Sequence, residues 1–138
     1  METGEEILNF FSNSCEAGKP LVWIATTYRG EPHVVPVCFV KPVGSDKVLI
    51  ANNFVAKTVK NILRGSKVAL GAVKFADGYV GYMLKGRAEV LESGELFESI
   101  KRLVEEKTKG KRKPVSAILV HIEKIYSLKP GVERKRIS

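Results

Sequence analysis

The spacing of hydrophobic residues along the chain alternates between the two-residue period of strands and the longer period of helices. Near the N-terminus, Thr3 and Glu6 form a capping box for a first helix, which Gly18 and Pro20 end. Further helices are predicted over residues 56–64, closed by Gly65, and over the apolar positions between 96 and 104. Strands are predicted at six places: 21–28, 33–41, 48–52, 68–75, 79–91 and 115–128.

Glycine and proline positions indicate how these strands are arranged. Gly81 and Gly86 inside the strand 79–91 predict bends or bulges, as in barrels that curve to close. Residues 76–78 predict a hairpin turn. Pro32 and Pro36 both lack a backbone donor, so we expect an unpaired stretch or a bulge near Pro36, where the freed backbone could bind a ligand. The pattern predicts a mainly β fold, a six-stranded antiparallel barrel with flanking helices.

Length and composition place the chain among ordinary globular domains. Its 138 residues, 44% hydrophobic and 28% charged, predict one domain over 1–138, with 132–138 as a loose basic tail. No apolar run approaches the ~20 residues of a membrane span, and the acidic start lacks the pattern of a signal peptide. Cys15 and Cys38 are far apart and have no metal spacing, which favours neither a disulfide framework nor a zinc site. We therefore expect a cytoplasmic protein without a metal.

The net charge of +8 is unevenly distributed, because basic residues crowd the segments 107–113 and 134–136. Such clusters can bind nucleic acid, or they can be solvated loops and tails. No aromatic residues that could stack on bases are interleaved with them, so we favour the second interpretation.

The start of the helix at 56–64 is the strongest candidate for binding chemistry. Lys57 and Thr58 lie in its first turn, where free N–H groups and the positive end of the helix dipole favour an anion. Neither a GxxxxGK loop nor a GxGxxG motif occurs, so a phosphate would depend on this helix start. His33 and His121 are the only histidines and form no recognisable catalytic set, and Trp23 is expected in the core.

Four segments occur in the order and spacing of a known family: 30–37, 56–62, 67–70 and 81–89. Through them the chain resembles the FMN-binding split barrels related to pyridoxamine 5′-phosphate oxidase. The likeness runs from Leu21 to Pro130 and is greatest to the short, stand-alone FMN-binding proteins of that superfamily.

The resemblance implies a homodimer with FMN held between the subunits. It places the phosphate at Lys57 and Thr58, and it assigns Asn52 and Asn53 to the phosphate or ribityl chain. The pyrimidine end of the flavin would lie against the backbone of Val35, Pro36 and Val37. The oxidases carry a basic residue on this strand and an Arg-Leu-x-Pro run near their end. This chain lacks both, so we do not expect pyridoxamine phosphate oxidation.

Three functional hypotheses follow. The first is a small FMN-dependent oxidoreductase or flavin reductase with a nicotinamide donor, in which the flavin performs the chemistry and no catalytic side chain is assigned. The second is an electron carrier or FMN store that docks an acidic redox partner through its basic surface. The third is a nucleic-acid-binding module. A deazaflavin of the F420 type would satisfy the same phosphate site as FMN.

Overall fold

The computed structural model describes residues 4–14, 16–53, 56–75, 77–129 and 137. In this part of the chain one antiparallel sheet is flanked by three helices: α1 (Gly4–Phe10), α2 (Ala56–Leu63) and α3 (Glu95–Thr108). Its strands are β1 (Asn13–Ser14), β2 (Leu21–Tyr28), β3 (Glu31–Val37), β4 (Phe39–Val43), β5 (Lys47–Asn52), β6 (Val68–Phe75), β7 (Tyr79–Leu91) and β8 (Ser116–Ser127). The first predicted helix ends earlier than expected, and its capping residue Thr3 lies outside the described residues.

The strands are arranged in the order β1-β4-β5-β8-β7-β6-β2-β3. Only one residue separates β3 from β4, yet these strands lie at opposite ends of that order. The sheet must therefore curl upon itself, which produces the split barrel that the sequence predicted.

The number of strands differs from the prediction of six. Seven strands have five residues or more, and the two-residue β1 adds an eighth. The additional long strand arises because the predicted strand 33–41 is broken at Cys38 into β3, which pairs with β2, and β4, which pairs with β5. Hydrophobic alternation continues across this corner, so the sequence pattern did not reveal it.

The irregularity expected near Pro36 lies at Cys38, two residues further along the chain. The β2–β3 register runs without interruption from Val22↔Val37 to Tyr28↔Glu31, with Pro36 opposite Trp23. β3 is the last strand in the described sheet, and an edge strand tolerates proline when its missing N–H faces away from the neighbouring strand. The ladder is instead interrupted at Cys38.

The bulge predicted at Gly86 is confirmed. The β7–β8 register shifts between Lys85 and Gly86, and a Cβ on Gly86 would collide with the carbonyl oxygen of His121. Gly81 is similarly confined, because its Cβ would lie 2.8 Å from the Ala72 carbonyl oxygen. At both positions only glycine lets neighbouring strands approach this closely.

Two hydrophobic clusters lie on opposite sides of β5 and β8. The barrel interior contains Val48 and Ile50 from β5, together with α1 and the inward residues of β2, β6 and β7. A second cluster lies beneath α3 and contains Phe39, Leu49, Ala51, Phe97, Ile100, Val104, Ala117 and Leu119. Because α3 covers the outer face of β5 and β8, these strands are buried on both faces and have continuous apolar runs.

Two hydrogen bonds fix α2 against β2. The Nδ2 of Asn61 donates to the Oγ1 of Thr26 at 3.0 Å in the buried interface, and the backbone N–H of Thr27 donates to the Oγ of Ser66 at 3.0 Å. The helix ends as predicted, with Gly65 at φ +95° and the Ser66 N–H bonded to the Asn61 carbonyl. These contacts hold the predicted anion-binding helix against the barrel.

Cys38 is disulfide-bonded, contrary to the expectation from cysteine spacing. The sequence has one other cysteine, Cys15, which lies outside the described residues. Cysteine usage therefore does not support the expected reducing compartment, and cytoplasmic localisation stays a prediction. Among the described helices, none combines the length and apolar character needed to cross a membrane.

Candidate functional site

The junction between β5 and α2 contains buried polar groups. Asn52 is buried at the end of β5, and its Nδ2 donates to the Oγ of Ser116 at 2.9 Å. Asn53 follows, half-buried, and its Oδ1 is buried without a hydrogen-bond partner among the described residues. Because buried polar atoms are nearly always hydrogen-bonded, this acceptor indicates a site for a ligand that donates a hydrogen bond.

The first turn of α2 places its two predicted residues differently. The side chain of Lys57 is exposed, whereas Thr58 is completely buried and its Oγ1 has no hydrogen-bond partner in the part of the chain that the structure describes. The hydroxyl of Thr58 therefore does not reach the surface in this conformation. An anion at this helix start would meet the first-turn backbone N–H groups, which no helix satisfies internally, and the ammonium of Lys57.

A cavity of about 470 Å³ lies along the same helix. It is lined by Ala56, Lys57, Val59, Lys60 and Leu63, so two lysines border an otherwise apolar surface. A ligand with an apolar body and an anionic end matches this combination.

The structure also brings the predicted β3 segment towards this helix. α2 packs against β2, β3 and β7, and Val35 and Val59 contact the same interior cluster. In β3, Val35 is half-buried, Pro36 is exposed and Val37 is buried. Since β3 is an edge strand of the described sheet, one side of its backbone is open to a ligand.

A cluster around Tyr28 was not predicted from the sequence. Three cationic groups lie near its ring centroid: the Arg64 Cζ at 4.2 Å, the Arg29 Cζ at 5.1 Å and the Lys57 Nζ at 5.9 Å. Lys57 and Arg64 are seven residues apart, a spacing that places them on one helix face and could have signalled their association. Their approach to Tyr28 depends on how α2 docks on β2.

The basic segment after α3 surrounds another cavity, of about 540 Å³. Its lining residues are Cys38, Phe39, Lys107, Thr108, Lys109, Lys111 and Arg112. The Nζ of Lys107 is 3.5 Å from the Oε1 of Glu16. Cations at a helix C-terminus are stabilised by the helix dipole, which gives this cluster a structural role. The second predicted cluster, 134–136, lies outside the described residues.

The histidines do not converge on the candidate site. The Nε2 of His121 is 3.4 Å from the Oε1 of Glu89 across the β7–β8 pair, and His33 is opposite Thr26 on β3. Within the described ranges, no group of three or more His, Cys, Asp or Glu side chains is placed to hold a metal ion.

Trp23 lies on the outer face of the sheet rather than in the core, where it was expected. Its side chain is 42% exposed, and a cavity of about 370 Å³ borders it, lined by Leu21, Trp23, Gly71, Ala72, Val73, Phe75 and Leu128. The strand has two apolar faces, and the sequence pattern could not show that the opposite face, with Val22 and Ile24, is the buried one.

The whole described barrel falls within one family match. Residues 5–129 match the family described as pyridoxamine 5′-phosphate oxidase. The chain belongs to this family. Membership in the pyridoxamine 5′-phosphate oxidase family confirms the resemblance drawn from the four sequence segments and the split-barrel fold.

Several known proteins are similar to this member of the oxidase family over most of its length. An uncharacterised protein of Methanocaldococcus jannaschii is 38% identical over 120 residues, which are 85% of this chain and 78% of the relative. The structure of an FMN-binding protein of Syntrophomonas wolfei matches this fold with a TM-score of 0.76 at 17% identity. The match covers 94% of this chain and 86% of the S. wolfei chain. HupZ of Group A Streptococcus has a TM-score of 0.74 at 22% identity, covering 98% of this chain and 100% of its own.

Proposed function

We propose that this protein binds FMN where β5 meets α2 and acts as a small oxidoreductase. The observation that carries the proposal is the Oδ1 of Asn53, which is buried without a partner among the described residues, four positions before the exposed Lys57 at the start of α2. An unsatisfied buried acceptor costs stability, so the protein gains when a ligand supplies the missing donor.

The residues present fit FMN in chemical terms. The Lys57 ammonium and the positive end of the α2 dipole suit a phosphate. The Oδ1 of Asn53 suits a ribityl hydroxyl as donor, and Asn52 holds the junction in place through Ser116. The open edge of β3 at Val35, Pro36 and Val37 suits the polar pyrimidine end of the flavin.

Comparison with known proteins supports the same cofactor. The family name describes an oxidase of a phosphorylated compound, and the S. wolfei protein of similar fold is an FMN-binding protein. Bound FMN would supply hydride and electron transfer, so the chain's own residues need only bind, orient and shield it. No catalytic side chain is assigned, and a phosphate-bearing deazaflavin of the F420 type would fit the same groups.

We further propose that the functional unit is a homodimer. α3 covers the outer face of β5 and β8, but no described helix covers the apolar outer face of β2 and β6 around Trp23 and Phe75. Apolar faces of this kind on a soluble protein mark association sites. A second copy of this chain would bury this face.

The basic cavity at the end of α3 favours a second candidate function, an electron carrier without its own substrate. Lys107, Lys109 and Lys111 would then dock an acidic redox partner by charge complementarity. Nucleic acid would require stacking groups, and the described basic segment has none interleaved with its lysines.

An absorption spectrum of the purified protein tests these proposals. We expect added FMN to show a perturbed two-banded flavin spectrum, which a reduced nicotinamide bleaches if the protein is a reductase. A bound flavin that stays unbleached would favour the carrier. An unperturbed FMN spectrum, in a protein that purifies colourless, would contradict FMN binding.

A further inference from the structure

The ring of Tyr28 gathers three cationic side chains from two parts of the fold. Arg29 comes from the turn after β2, with its backbone in the left-handed region at φ +51°, while Lys57 lies in the first turn of α2 and Arg64 directly follows this helix. All three groups lie within 5.9 Å of one ring centroid. A cation within about 6 Å of an aromatic face is attracted by the ring, so this one ring attracts three cationic side chains.

No carboxylate neutralises this cluster. Among the described residues, no Asp or Glu oxygen lies within 4.0 Å of the charged nitrogens of Arg29, Lys57 or Arg64. Glu31 is opposite Tyr28 in the β2–β3 register, yet it forms no such ion pair. Most of the cluster's positive charge is therefore available to an anion from solution.

The quadrupole of the ring accounts for the ordering of these side chains. A cation over an exposed aromatic face gains about 0.5–1 kcal/mol, comparable to the entropy lost in holding a long side chain. Tyr28 thus positions the two guanidinium groups beside Lys57 before any ligand arrives. One guanidinium group can donate two parallel hydrogen bonds to two oxygens of a phosphate, a geometry that an ammonium group cannot provide.

We propose that Tyr28, Arg29 and Arg64 form, together with Lys57, a phosphate-binding platform on the flank of α2. This inference rests on the proposed function through Lys57, which both sites share. The platform supplies positive charge that β3 lacks, since Val35, Pro36 and Val37 carry none. Its ligand is a phosphate group, which either FMN or a phosphorylated co-substrate brings to the protein.

The affinities for FMN and for riboflavin are both measured by flavin fluorescence. Their comparison distinguishes the contribution of the phosphate to binding from that of the flavin ring. In Arg29→Gln and in Arg64→Gln we expect about tenfold weaker FMN binding, a loss of about 1.4 kcal/mol, with riboflavin affinity unchanged within about twofold. Arg102→Gln, an exposed arginine on α3, is the control for loss of one positive charge and should leave both affinities unchanged.

Tyr28 is a positioning residue, and a conservative variant tests that role. Tyr28→Phe keeps the ring and should retain the preference for FMN over riboflavin, whereas Tyr28→Leu should lose it. A purely structural role would instead lower both affinities together, or lower the thermal stability of both variants.

Inorganic pyrophosphate, titrated by calorimetry into the protein with and without added FMN, identifies the source of the phosphate. Weaker pyrophosphate binding in the arginine variants, with FMN affinity intact, would assign the platform to a co-substrate. If Lys57→Ala weakens FMN binding but the arginine variants change neither probe, the platform is overturned and the FMN proposal stands. If the wild-type protein binds neither flavin yet binds pyrophosphate through these arginines, the FMN proposal fails and the platform stands.

Discussion

Individual side chains at the start of α2 have different roles, although the sequence presents them as a pair. Lys57 is exposed and reaches towards Tyr28, while Thr58 is buried with an unpartnered hydroxyl. The charge is therefore available to a ligand, whereas the hydroxyl is not in this conformation. Of the two predicted residues, Lys57 is therefore the one that a ligand at the surface can reach.

Replacing these two residues separately tests this division. Lys57→Ala should weaken FMN binding by about tenfold or more, because a charge-assisted bond to phosphate is lost. Thr58→Val should keep FMN affinity within about twofold and leave stability equal or slightly higher, because it removes an unsatisfied buried hydroxyl. Fluorescence titration and denaturant unfolding measure the two effects. An unchanged FMN affinity in the Lys57→Ala, Thr58→Ala double variant would remove the phosphate from this helix start.

The position of α2 depends on a small number of polar contacts with β2. The amide of Asn61 is buried, with its Nδ2 bonded to Thr26 and its Oδ1 unpartnered. This helix carries the phosphate-binding groups, so its position on the barrel determines the geometry of the site. Its short length, Ala56–Leu63, means that packing rather than intrinsic propensity holds it in place.

Thr26→Val should therefore lower the free energy of unfolding by about 1–3 kcal/mol, because the buried Asn61 amide loses its acceptor. FMN affinity should fall as well, since Lys57 moves with the helix. Thr27→Val is the matched control: its side chain is exposed, and its backbone N–H still bonds to Ser66, so stability should change by less than about 0.5 kcal/mol. Equal stability of the two variants, measured by urea unfolding, would show that the Asn61 bond does not fix α2.

In the molecule as a whole, one part of the outer face of the sheet is covered by a helix, whereas another part is exposed. α3 packs across β4, β5 and β8, and the outer surface of β2 and β6 exposes Trp23 and Phe75, the latter by 84%. A sheet with one uncovered apolar face is stabilised when another surface covers it. In the proposed homodimer, a second copy of the chain would provide such a surface with two-fold symmetry.

Trp23→Asp should convert a dimer into a monomer at micromolar concentration, since it places a charge at the centre of the apolar face. Sedimentation velocity measures the change directly. Ser93→Asp introduces the same charge in the exposed turn before α3 and should leave the dimer intact. A wild-type protein that sediments as a monomer would contradict the homodimer, whatever the variants do.

The local sequence pattern alone was sufficient to predict most elements of the fold. The strands at β2, β5, β6, β7 and β8, the helices α2 and α3, and the bulge at Gly86 follow from periodicity and from the glycine that close strands require. Lys57 was predicted from its place in a helix start and Asn53 from the family resemblance, and their role in binding stays a prediction. These features depend on neighbours within a few residues, which the sequence lists in order.

Contacts between distant segments decided the rest. The break at Cys38 exists because the barrel must turn a corner, and Trp23 faces outward because the other face of β2 closes the interior. The bond between Asn61 and Thr26 spans 35 residues of sequence, and the approach of Arg64 to Tyr28 follows from it. Which of two apolar faces is buried, and which charges meet, depends on how elements pack in three dimensions, and no local period encodes that.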